Sequence, residues 1–182
     1  ANNVTNRVRS QNIVGEIEYQ ELEDGGSIPI PPTFTYVEGQ IDNGAVIEDE
    51  DGNQFVWIPI NNNDDYKRFL FEFNGSLSND DLASKLEDSD DYDLDYTDSV
   101  RNYGGFYIAR FEAGKDDDTG AVISQLGIKP WTNISWQKAK NLAYNMYDLN
   151  DAFQTDLVNS FAWDSMCLWL RDHNVNIDDS SD

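Results

Sequence analysis

The sequence has very few of the residues on which most covalent and metal chemistry depends. Its 182 residues include one cysteine and one histidine. Cys167 therefore has no disulfide partner within the chain, and the two residues together cannot build a Cys/His metal cluster. Cys167 lies in an apolar run, which predicts a buried free thiol. His173 lies in a polar stretch without a Ser or Asp at a nucleophile spacing, so we expect no catalytic triad there.

Basic residues and long apolar runs are also scarce. Twelve Lys and Arg residues stand against 35 Asp and Glu residues, a formal net charge of −23. Such a surface repels phosphates and anionic lipid head groups, so we expect no nucleic acid and no membrane surface among the partners. No run approaches the roughly 18 apolar residues of a membrane-spanning helix. The hydrophobic share of 39% and the aromatic share of 13% nevertheless suffice for a folded core.

The spacing of apolar residues predicts an α+β fold, with short, mostly antiparallel strands followed by two amphipathic helices. Strands are predicted near 13–22, 34–38, 45–48, 54–60, 69–73 and 104–114, with a stiff extended connector at 28–32 and an irregular acidic middle at 61–103. Asn133 or Ser135 is expected to cap the first of the two helices, and Ser160 the second. Each helix has an apolar stripe that predicts a core face: Trp136, Ala139, Leu142, Ala143 and Met146 in the first, Trp163, Met166, Cys167 and Leu170 in the second.

Residues 1–24 are predicted to form an N-terminal arm ahead of a main domain at 25–182. The apolar side chains of the arm are Ile13, Ile17, Tyr19 and Leu22, and the alternation around Ile17 and Tyr19 suits a half-buried strand. Gly25 and Gly26 separate the arm from the rest of the main domain. We expect the arm either to add a strand to a neighbouring copy or to fold back on its own domain.

An acidic run at 88–98 predicts either a calcium site or a solvated loop. The candidate ligands are Asp88, Asp90, Asp91, Asp93 and Asp95. The run lacks the glycine and the closing glutamate of an EF-hand loop. Nearby tyrosines, namely Tyr92, Tyr96 and Tyr103, are candidates for stacking on the sugar rings of a glycan, the alternative being structural loop tyrosines.

Three segments in order resemble motifs of the formylglycine-generating, sulfatase-modifying family. Residues 105–112 (GFYIARFE) resemble its F-Y-I-x-[KR]-[YF]-E strand, residues 130–136 (PWTNISW) with Ala139 its P-V-x-x-V-S-W-x-x-A helix entrance, and residues 160–163 (SFAW) its T-E-A-[EQ]-W helix start. Upstream, PIPP and residues 53–59 (NQFVWIP) resemble a version common in bacterial surface and prophage proteins. The resemblance covers roughly residues 28–170. It implies a C-type-lectin-like fold, which phage and other receptor-binding proteins share.

The resemblance does not extend to the carboxyl-terminal segments of the family. The sequence has no G-N-V-x-E-W or R-G-G-S segment and no copper-binding cysteine pair, so we expect the C-type-lectin-like domain to be incomplete at its C-terminal side. Copper-dependent oxidation then has no metal ligands. We therefore expect no enzyme activity and no firm cofactor, with calcium as the one candidate. An incomplete domain would expose strand edges and the faces around Trp136 and Trp163.

The expected function is that of a non-catalytic extracellular structural or adhesive protein, a subunit of a cell-surface or virion appendage. Its partners would be copies of itself or another appendage subunit, and head-to-tail exchange of the arm would build a filament. Sequons at Asn3, Asn74 and Asn133 favour the extracellular placement. The alternatives are a receptor- or glycan-binding C-type-lectin-like module and a fragment of a formylglycine-generating-type oxidoreductase.

Overall fold

The computed structural model describes residues 16–60, 94–147 and 152–173, the side chains of 94–98 excepted. These residues form an α+β arrangement of short strands and helices, and every strand pairing among them is antiparallel. The predicted fold class is confirmed at this level. No helix in the described ranges is both long and apolar enough to cross a bilayer.

The centre of the fold is a four-stranded sheet. Its strands, in spatial order, are β3 (Phe34–Glu38), β4 (Val46–Asp49), β5 (Gln54–Pro59) and β6 (Gly105–Ala109). The predicted turn between β4 and β5 is present, and Gly52 supplies its positive φ of 87°. Pro59 ends β5 at its pairing with Gly105.

Side chains from both faces of this sheet are buried, which explains the near-continuous apolar sequence of β5. Phe55 and Trp57 pack on one face, together with the buried Leu22 and Ile28. Ile58 packs on the opposite face against residues of two helices. Alternate residues of β5 thus belong to two separate hydrophobic clusters.

The described part of the predicted arm is paired within its own chain. β1 (Glu18–Glu21) forms an antiparallel hairpin with β2 (Ser27–Ile30), which places a strand where a connector was expected. Pro29 is tolerated because this sheet has two strands and one side of β2 has no partner among the described residues. Leu22 is buried, Ile17 is half-buried and Tyr19 is exposed. Ile13 lies outside the described residues.

Helix α1 (Leu94–Tyr103) occupies a stretch that was predicted to be irregular. The prediction of a loop through residue 98 is wrong, because burial of Val100 against Phe106 holds this segment on the sheet. The Ser99 hydroxyl donates to the Gly105 carbonyl at 2.7 Å. Gly104 ends the helix with a φ of 76°, a conformation that glycine adopts without strain.

The two C-terminal helices begin close to where the sequence predicts. α2 (Trp136–Tyr144) is capped by Ser135, whose hydroxyl accepts from the Lys138 amide at 3.3 Å. α3 (Ser160–Asp172) is capped by Asn159, not by Ser160, and the side-chain carbonyl of Asn159 accepts from the Ala162 amide at 2.8 Å.

The prediction that the apolar stripes of both helices are core faces is wrong for their tryptophans. α2 has no buried residue, and Trp136 is 66% exposed. In α3 the buried residues are Ala162, Asp164 and Ser165, whereas Trp163 is 52% exposed. The face of α3 that packs on the sheet therefore lies beside the most apolar stripe and does not coincide with it.

Candidate functional site

Of the five predicted calcium ligands, Asp95 alone lies within the described residues. Asp88, Asp90, Asp91, Tyr92 and Asp93 lie outside the described residues. Asp95 and Tyr96 belong to the first turns of α1, not to a loop, and Tyr103 is the exposed last residue of that helix. Among the described residues no group of three or more His, Cys, Asp or Glu side chains is arranged to hold a metal ion.

Cys167 lies within α3 and His173 directly follows it, and the surroundings of both side chains indicate structural roles. Cys167 is half-buried, and burial followed by the nearby charge of Asp164 raises the pKa of its thiol. The reactive thiolate is thereby disfavoured. The His173 ring stacks on Trp169 with a centroid distance of 4.5 Å, and its Nδ1 lies 2.7 Å from the Trp169 carbonyl oxygen. These contacts hold His173 at the C-terminus of the helix.

A cleft of about 860 Å³ lies between the β4–β5 turn, α2 and the hairpin of β7 (Gly114–Lys115) and β8 (Val122–Ile123). Its mouth is rich in carboxylate, amide and hydroxyl groups, and its less exposed lining includes Ile123, Leu142 and Met146. Its lining thus mixes polar and apolar side chains, and such a mixture is found in small-molecule sites.

Asp49 shapes one wall of this cleft. Its carboxylate accepts hydrogen bonds from the backbone amides of Asp51 and Asn53, from the Asn53 side chain at 2.9 Å and from the Tyr147 hydroxyl at 2.6 Å. Four donors occupy most of its acceptor capacity. Asp49 therefore stabilises the turn and anchors Tyr147, and the neighbouring side-chain amides are better placed to contact a ligand.

The opposite side of α2 presents aromatic side chains to solvent. Trp136, Lys140 and Tyr144 follow one another at four-residue spacing and are all exposed, and together they form what we call the α2 stripe. The Lys140 ammonium lies 5.6 Å from the centre of the Trp136 ring, within the range of a cation–π contact. Lys115 and Lys138 lie within 5.9 and 5.2 Å of the Trp131 ring in the same way.

The distribution of acidic residues along the sequence also points to this face, independently of the motifs. No Asp or Glu occurs between Asp118 and Asp148, the longest such interval in the chain, and three of the lysines fall within it. In a protein of net charge −23, an interval of this length without a carboxylate marks a segment of different charge. We call residues 119–147 the carboxylate-free segment.

Comparisons with protein-family models, with curated proteins and with solved structures give no match to this chain.

Proposed function

We propose that this protein is a non-catalytic structural or adhesive subunit of an extracellular assembly, such as an appendage of a cell surface or virion. The observation that carries the proposal is the α2 stripe, an exposed row with two aromatic side chains on a helix that buries none of its residues. Aromatic side chains such as tryptophan and tyrosine are enriched at protein interfaces. The structural environments of Cys167 and His173 support the non-catalytic part.

Covering the tryptophans would contribute substantially to association. A fully buried tryptophan removes roughly 150–250 Å² from water. Trp136 is 66% exposed, so covering it yields about 3 kcal/mol at about 25 cal/mol per Å². Trp163 is 52% exposed and offers a similar amount. An anchor of this size is typical of the few residues that carry most of the free energy of a contact.

We favour a contact between preformed surfaces over exchange of the N-terminal arm. Glu18–Glu21 pairs with β2 of its own chain, and the following Leu22 is buried in the core. Exchange would first have to open this hairpin and expose Leu22. Docking on the α2 stripe has no such cost.

The finer fold that we propose is C-type-lectin-like, related to the formylglycine-generating, sulfatase-modifying family. Support comes from the elements that carry the three motifs. The first motif spans β6, the second contains the N-cap Ser135, and the third opens α3. Each motif thus lies on the kind of element that the resemblance implies.

Negative-stain electron microscopy at low and at high ionic strength tests the proposed function. Each copy has 23 excess negative charges, so salt that screens them should promote polymers or discrete oligomers. Trp136→Ala should reduce the assembled fraction, whereas Tyr103→Ala, which removes an exposed aromatic from α1, should not. Monodisperse single copies under every condition would contradict the proposal.

The cleft favours a second candidate function, recognition of a glycan or another polyhydroxylated receptor. The amide side chains of Gln125, Asn141 and Asn145 line the cleft together with Ser135, and such groups bind sugar hydroxyls. Binding on a glycan array that Asn141→Ala removes would support this function. Loss of that binding with a chelator would in addition support the predicted calcium ligands at 88–95. No binding to any glycan would count against both.

A further inference from the structure

The charges of this chain are segregated along the sequence. The carboxylate-free segment contains Lys129, Lys138 and Lys140, so all 35 acidic groups and only nine basic ones lie elsewhere. Each of the three lysines is exposed, and none has a carboxylate partner among the residues that the structure describes. Along the sequence, one positively charged segment therefore interrupts a strongly acidic chain.

The α2 stripe lies within this positive segment. Lys140 stands between Trp136 and Tyr144 along one side of α2, and Lys138 packs on Trp131 toward the cleft. The hydrophobic area and the positive charge thus coincide. A partner that covers this face must be negative and must present an apolar or aromatic group at its centre.

The outer surface of β1 has that composition. Tyr19 is 57% exposed, and the exposed Glu18, Glu21 and Glu23 surround it in sequence. No hydrogen bond or ion pair engages these three carboxylates within the described part of the chain. β1 pairs only with β2 among the described residues. Tyr19 and Glu21 lie on one face of β1 and Glu18 on the other, and all three are exposed beside the free edge of the strand.

Several other carboxylates on the described surface are engaged by their own turns. Asp24 accepts from the amides of Gly26 and Ile41 at 2.9 Å each. Asp116 accepts from the amides of Asp118 and Thr119. Such hydrogen bonds reduce the capacity of a carboxylate to accept from a lysine of another molecule. No such bond engages the carboxylates of β1 within the described ranges, and they are better candidates because they flank the exposed Tyr19.

We propose that the surface covering the α2 stripe is the acidic β1 surface of a second copy of this chain, with the lysines of the carboxylate-free segment opposite Glu18, Glu21 and Glu23. This inference rests on the proposed function and names its partner. The two surfaces come from different parts of the chain and are not self-complementary. Each such contact leaves a free α2 stripe on one copy and a free β1 surface on the other, and their pairing builds a two-fold dimer, a ring or an open filament.

Charge reversal tests the contact by sedimentation velocity at about 0.15 M ionic strength, where the Debye length is about 8 Å. The first variant, which we call the acceptor variant, reverses the charges of the acidic β1 surface (Glu18→Lys, Glu21→Lys, Glu23→Lys). The second variant reverses the charges of the lysines in the carboxylate-free segment (Lys129→Glu, Lys138→Glu, Lys140→Glu). A matched control carries three reversals at other exposed positions (Glu50→Lys, Glu112→Lys, Asp118→Lys). Circular dichroism checks that each variant is folded.

The acceptor variant separates specific contact from general repulsion. It has the same net charge as the control, less negative than the wild type, so general repulsion alone predicts stronger association for both. Of these two variants, the proposal predicts that only the acceptor variant associates more weakly than the wild type. Exposed pairs contribute about two- to fivefold each to Kd, which gives on the order of tenfold or more for three. An equimolar mixture of the two reversed variants should recover association, because reversed surfaces meet reversed surfaces and native ones meet native ones.

The outcomes distinguish this contact from the proposed function. If the wild type associates and the acceptor variant associates equally well or better, the contact is wrong while assembly stands. If the mixture of reversed variants fails to recover, the pairing of these two surfaces is also wrong. If the wild type stays monomeric but binds anionic vesicles or heparin through its lysines, the partner is an anionic polymer or lipid surface, and both the contact and self-assembly are overturned.

Discussion

The exposure of Trp136 predicts an unusually small stability cost when this tryptophan is truncated. A fully buried tryptophan covers roughly 150–250 Å², so a side chain that is 66% exposed covers only about 50–85 Å². At about 25 cal/mol per Å² this corresponds to about 1–2 kcal/mol. The cation–π contact with Lys140 adds about 0.5 kcal/mol at an exposed site. We therefore expect Trp136→Ala to lower the free energy of unfolding by about 2 kcal/mol.

Trp57 is the matched control, because the same substitution there removes a core residue. Trp57 is 3% exposed and packs against Tyr107 with a centroid distance of 4.9 Å. Trp57→Ala should cost about 3–5 kcal/mol. Urea denaturation followed by far-UV circular dichroism, at dilutions where the chain does not associate, measures both. A cost for Trp136→Ala equal to that for Trp57→Ala would refute the placement of Trp136 on the surface.

Three further substitutions test buried polar groups, with unfolding free energies as the measurement. Asn53 is 4% exposed and joins Asp49 to the Ser124 amide, so Asn53→Ala should destabilise by about 2–3 kcal/mol, and a cost below about 0.5 kcal/mol would contradict that role. Ser165→Ala should stabilise by about 1 kcal/mol, since the buried Ser165 hydroxyl has no hydrogen-bond partner in the described structure, and a loss of stability would count against this. Tyr107 donates to the Pro29 carbonyl at 2.7 Å, and burial raises its pKa far above the ordinary value of 10.0. The unfolded chain then releases this proton first, so the stability from Tyr107 is complete below about pH 10 and is lost as pH rises above it. Tyr107→Phe should lower the free energy of unfolding by about 1 kcal/mol at neutral pH. The difference in unfolding free energy between the wild type and this variant should narrow above about pH 10, and a difference that does not change with pH would contradict the burial of Tyr107.

Local sequence signals predicted the central sheet well. β5 was predictable because its apolar run is continuous and ends at Pro59, and the turn before it because Asp51 and Gly52 favour a positive φ. The start of α2 followed from Ser135 as a cap. In each case the deciding interaction lies within a few residues of the signal, which is why sequence alone could predict it.

The elements that sequence reasoning missed depend on distant partners. α1 is held by packing of Val100 on Phe106, which its acidic sequence does not indicate. The buried face of α3 includes Asp164 and Ser165, so the apolar stripe through Trp163 predicted a face beside the buried one. Hydrophobic periodicity cannot identify a core face when the surface is itself apolar.

The candidate site was less predictable than the fold, although part of its signal was local. The carboxylate-free segment is visible in the sequence as an interval without Asp or Glu. The exposure of Trp136 was expected from the missing family segments, yet the stripe on which it lies was predicted to be core. The cleft depends on Asp49 and Tyr147, which are brought together over a separation of 98 residues. No local pattern predicts such a contact.

Hydroxyl-radical footprinting of Trp136 at low and high protein concentration tests most directly whether another copy covers the α2 stripe. The account predicts that Trp136 is oxidised readily in dilute solution and becomes protected as the concentration rises, while Trp57 stays protected throughout because it is buried in the core. An equal oxidation rate for Trp136 at every concentration at which the protein assembles would contradict the account.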